Sequence, residues 1–78
     1  MTKDEFFKFK EEAYKLKVAQ PENKEKAINL LNITNNRLEE IEINTETTLN
    51  TVAVEQHGAW KEFLTKEEYN QVVNAVKG

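Results

Sequence analysis

Apolar residues recur along this chain at the spacing of helices. Phe6, Phe9, Ala13 and Leu16 follow at steps of three and four, Phe7, Tyr14 and Val18 widen the stripe, and Lys and Glu fill the other side. Such spacing puts one apolar face on an amphipathic helix over residues 3–18. Thr2 followed by Glu5 has the form of a capping box, in which each side chain bonds the other residue's backbone N–H at a helix start. Gln20-Pro21 ends the element, because proline disfavours helical geometry in the residue before it and suits the first turn of a new helix.

A longer seam follows. Ala27, Leu31, Thr34, Leu38, Ile41, Thr45, Thr48 and Val52 alternate steps of four and three, and neither Gly nor Pro occurs from Glu22 to Gln56. A mean step of about 3.5 residues keeps one stripe of a helix turned toward a partner. The spacing therefore predicts one continuous helix over 22–62, roughly 60 Å long at about 1.5 Å per residue, with Gly58 as a candidate break, cap or close-contact position. Thr65 and Glu68 form a second capping-box pair and open a last helix over 66–77, with Tyr69, Val72, Val73 and Val76 on one face. The expected fold is all-α: a single domain over 1–78 with one long central helix and two shorter flanking ones.

One stretch argues otherwise. Eight of the fourteen residues from Ile41 to Val54 are β-branched, and such residues favour strands. An α+β fold with a small hairpin in 41–57 is the alternative. A hairpin turn normally uses Gly, and none lies in that stretch, so the helix is the expectation.

Two short helices can cover only the ends of such a rod. Its middle then calls for a second chain, which predicts a coiled-coil-like homo-oligomer with Leu31, Leu38, Ile41, Thr45, Thr48 and Val52 at the protein interface. Length agrees with this, since 78 residues build only a small core that tight packing or a partner must supplement. There is no Cys, which removes disulfides and thiolate metal sites from consideration.

Charge is uneven. The net charge is −3, yet residues 27–60 hold Arg37 alone against Glu39, Glu40, Glu42, Glu46 and Glu55, a balance of −4. Glu39, Glu40, Glu42 and Glu46 would form an acidic face on the long helix, a docking surface for a basic partner. No basic footprint for nucleic acid is present. The last helix offers Lys66, Asn70, Gln71, Asn74 and Lys77, but they are mixed with Glu67 and Glu68 and no Arg accompanies them. The charged amino-terminal residues and the lack of a long apolar run suggest neither a signal peptide nor a membrane span, so a soluble, cytoplasmic protein is expected.

Little in the chain carries chemistry. It has no Cys and no Ser, and His57 is its one histidine, so a candidate base has no evident nucleophile beside it. Glu55 and His57 are two residues apart, on different sides of a helix, and no Glu-X-X-His pattern exists for a di-iron site. Two glycines cannot build a phosphate loop. Hence no catalytic, cofactor-binding or metal-ligating residue is assigned, and an enzyme is not expected. Trp60, Phe63, Leu64, Tyr69 and Val73 read as a small carboxy-terminal core. The expected function is that of a self-associating helical adaptor or structural component. The alternatives are a small acidic inhibitor or regulator, of the phage anti-defence type, acting on a nucleic-acid-handling protein, and a DNA-binding regulator. The Asn-, Lys-, Glu- and Thr-rich usage is common in bacterial and phage proteins.

Overall fold

Both capping boxes form. In a computed structural model, which describes residues 2–78, the Thr2 hydroxyl accepts from the Glu5 backbone N–H and the Glu5 carboxylate from that of Thr2, starting α1 (Lys3–Val18). Thr65 and Glu68 repeat the arrangement at the start of α4 (Lys66–Lys77). Between these elements lie two helices, α2 (Lys24–Ile43) and α3 (Leu49–Phe63). The fold is all-α, 82% helical, with no strand among the described residues.

The single rod over 22–62 is therefore not present, and neither is the hairpin over 41–57. The chain turns at 44–48. Asn44 leaves helical geometry (φ −121°, ψ 111°) as the cap of α2. Its side-chain oxygen accepts from the Glu46 N–H at 3.0 Å, and its carbonyl accepts from the Thr47 N–H at 3.2 Å. Thr48 then caps α3 by accepting from the Thr51 N–H at 3.2 Å. Asn and Thr side chains stand in for backbone partners, so the turn needs no glycine. The β-branched run has the same meaning: its poor helix formers coincide with a loop and the start of a helix.

Gly58 does not interrupt α3. The helix runs through it without a positive φ. The start of α2 also differs from the sequence reading: residues 21–23 form a turn, and the Asn23 side chain donates to Gln20 Oε1 at 2.6 Å instead of capping the helix. The longest dimension of the molecule is 37 Å, well short of the expected rod.

α1 is the hub, packing against each of the other three helices, while α2 and α3 also pack on one another. The seam keeps its phase across the break because Ala27 and Thr34 on α2 and Val52 on α3 all turn into this shared interior, where each is fully buried. Phe9 and Ala13 of α1, Trp60 and Leu64 at the end of α3, and Val72 of α4 form the central cluster. Phe6 is buried on the same face of α1.

Trp60 is the largest fully buried side chain, and its indole N–H must find an acceptor there. It donates to Thr34 Oγ1 at 3.1 Å. The same hydroxyl lies 2.9 Å from both the Leu30 carbonyl and Gln56 Oε1. Among the described residues no buried side-chain nitrogen or oxygen lacks a partner. Thr34→Val keeps the shape but strands the indole N–H and the Gln56 amide. It should cost about 1–3 kcal/mol, measured by chemical denaturation followed through Trp60 fluorescence.

Candidate interaction surface

The six residues of the expected interface seam do not share one exposed stripe. Val52 is buried, Leu31, Leu38 and Ile41 are half-buried, and Thr45 and Thr48 are exposed in the turn between helices. Leu38 and Ile41 border a shallow groove with Phe7, Leu49, Lys3 and Glu42. The four acidic residues also part company. Glu39 and Glu42 are exposed on α2. Glu40 is half-buried and bonds Arg37, whose guanidinium also reaches Glu55 of α3 at 2.8 Å. Glu46 sits exposed in the turn, its backbone held by Asn44.

A different set of residues stands out on the surface. Ile28, Ile33 and Ile43 of α2 and Val54 of α3 are the exposed large hydrophobics, with Ile43 84% and Val54 76% exposed. The outward side of α2 thus presents isoleucines among Asn29, Asn32, Asn36 and Glu39. Glu39 and Glu42 enter no ion pair among the described residues. Ile33 and Ile43 lie off the seam, and at 43 the local alternation looks like a strand. Helical periodicity turns such positions away from the seam, although the sequence did not mark them as an apolar surface. Nothing local linked Thr34 to Gln56 and Trp60 either, since those contacts span 22 and 26 residues.

On the other flank of α3, Asn50, Ala53, Val54 and His57 line a shallow groove. His57 is half-buried, its ring 4.8 Å from that of Phe9 and edge-on to Tyr69, whose hydroxyl is 3.1 Å from Nε2. Burial disfavours the charged ring, and the Lys61 ammonium one turn on adds to this, so His57 titrates below its ordinary 6.5. His57 thus sits at the edge of the core, packed between Phe9 and Tyr69. No cluster of three or more His, Cys, Asp or Glu able to hold a metal occurs among the described residues. No described helix is long and apolar enough to cross a membrane.

α4 is fastened by one strong ion pair. Lys17, its side chain 5% exposed, places Nζ 2.6 Å from Glu68 Oε1 and 5.0 Å from the Phe63 ring centre. Gln20 Nε2 donates to the other carboxylate oxygen at 2.6 Å. Burial alone would raise the Glu68 carboxyl. Lys17, the Thr65 backbone N–H and Gln20 outweigh it and hold the group at about 2 instead of 4.5. The exposed side of α4 carries Lys66, Asn70, Gln71, Asn74 and Lys77 together with Glu67.

Comparison with protein-family models, with curated proteins and with solved structures yields no match.

Two windows of acid sensitivity follow. The folded state binds less proton at His57 than the unfolded chain does, so stability should fall as pH drops through 6.5. Glu68 contributes in full above 4.5 and loses its contribution as pH falls toward about 2. Urea denaturation at a series of pH values should show both declines, with His57→Gln abolishing the first and Lys17→Met shrinking the second.

Proposed function

We propose that this chain is a non-enzymatic protein-interaction protein whose docking face is the outward side of α2. The observation that carries this is the placement of exposed apolar groups. Three of the four exposed large hydrophobics lie on α2, and Ile43, 84% exposed, is one turn from the unpaired Glu39. Inside the chain, burial of these isoleucines is foregone, although burying such a side chain is worth about 1.5–3 kcal/mol.

Apolar anchors beside free carboxylates suit a partner with complementary chemistry: an apolar pocket or ridge rimmed by Lys and Arg. Proteins that handle nucleic acid present such basic surfaces, because phosphate binding requires them. A small acidic inhibitor or regulator of a protein of that kind is the reading that the charge favours, with an adaptor role in the same class. The balance of −4 over residues 27–60 would steer the encounter, and the isoleucines would hold the complex.

The test is affinity capture from an extract of the source cell at low and high salt, with mass-spectrometric identification, repeated with Glu39→Lys and Ile43→Lys. A basic partner retained at low salt should be released by salt and lost with either variant, while circular dichroism shows both variants folded. Retention indifferent to salt and to both substitutions would overturn this reading.

A further inference from the structure

The outward face of α3 departs from what a solvated helix face requires. Gly58 lies inside the helix, where glycine is the poorest former after proline. It does not use a positive φ. A Cβ added there would meet nothing within 4 Å, so nothing inside the chain requires the side chain to be missing. One turn earlier Val54 is 76% exposed, a β-branched apolar residue that a helix also disfavours and that no neighbour buries. Both positions weaken α3, and nothing in a single protomer compensates. Residues that break local rules in this way are expected where a surface is used.

Helical spacing puts Asn50, Thr51, Val54, Gly58, Lys61 and Glu62 on this one face. All but Gly58 are exposed, and Gly58 is half-buried with open space where a side chain would stand. A valine and an absent side chain one turn apart are a knob and a gap on the same helix, so a copy of that helix supplies both complements at once. If two α3 helices cross antiparallel about a two-fold axis level with Gln56, Val54 of each chain lies over Gly58 of the other. Lys61 and Glu62 then come opposite Asn50 and Thr51. That first turn holds no acid, so Glu62 meets the positive end of the neighbouring helix and the two macrodipoles oppose. A parallel pairing would set Lys61 against Lys61 and Glu62 against Glu62. Glu55, close to the axis, arrives already paired with Arg37 at 2.8 Å.

We propose that the outward face of α3 recognises a second copy of this chain, antiparallel, with Val54 seated on Gly58 of the other protomer. Its central residues, Val54 and Gly58 of α3, differ from the α2 isoleucines of the proposed docking face.

Sedimentation equilibrium of the full chain from low micromolar to millimolar concentration should show the mass rising to that of two chains. Val54→Lys and Gly58→Leu should each hold it at one chain, with helical circular dichroism unchanged because the protomer has room at 58. Ile43→Lys, which tests the α2 face, should leave the dimer intact. A mixture of Val54→Cys and Gly58→Cys chains should oxidise to the mixed disulfide in preference to either symmetric one. A wild-type chain that stays monomeric at millimolar concentration would overturn the proposal, as would a dimer that survives both α3 variants or is lost with Ile43→Lys.

Discussion

Trp60 lies fully buried in a chain of 78 residues, and an indole sealed from water brings an N–H that must be met inside. The acceptor is Thr34 Oγ1 at 3.1 Å, which a helix from a distant part of the chain has to deliver. α2 and α3 must therefore pair in one register, with Thr34 level with Gln56 and Trp60. A slip of one residue would turn the hydroxyl away and leave the Trp60 indole N–H and the Gln56 amide without this partner. Such groups are costly enough that this network selects one arrangement of the hairpin. The apolar contacts around it supply most of the driving force, and they discriminate less.

α1 profits from that register. It is the helix every other element needs, and its buried positions Phe6, Phe9 and Ala13 face the α2–α3 hairpin on one side and α4 on the other. α4 packs extensively on α1 alone, and that is the broadest helix–helix contact of the molecule. The ion pair of Lys17 with Glu68 anchors its first turn. A buried pair repays its desolvation only when the remaining hydrogen-bonding capacity is also satisfied. Here Gln20, the Thr65 backbone N–H and the face of Phe63 meet that condition.

The two unusual surfaces share a physical origin. Once α1 has accepted three helices, no further element of the described chain remains to cover the outer sides of α2 and α3. Isoleucines stay in solvent on one and Val54 with Gly58 on the other. In the roles proposed for them, binding would recover what folding leaves exposed, and the two faces would differ in what they fit. The α2 face combines apolar anchors with unpaired carboxylates. The α3 face carries Val54 beside Gly58, the basis of the self-pairing proposed for it.

Local chemistry determined the parts of this protein that depend on neighbours in sequence. The capping boxes at Thr2 and Thr65, the apolar stripe of α1 and the all-α class follow from residues three and four apart, whereas Trp60 and Leu64, expected in a small carboxy-terminal core, join Phe9 and Ala13 of α1 in the central cluster. The inward phase of Ala27, Thr34 and Val52 was legible too, although it could not tell one long helix from two. That choice was made at Asn44 and Thr48, whose side chains close a turn that glycine-based reasoning passes over. Tertiary structure alone decided which carboxylates are paired across helices and that Lys17 would be buried. Those outcomes depend on contacts between residues 18 or more positions apart, and the period of a single helix carries no information about them.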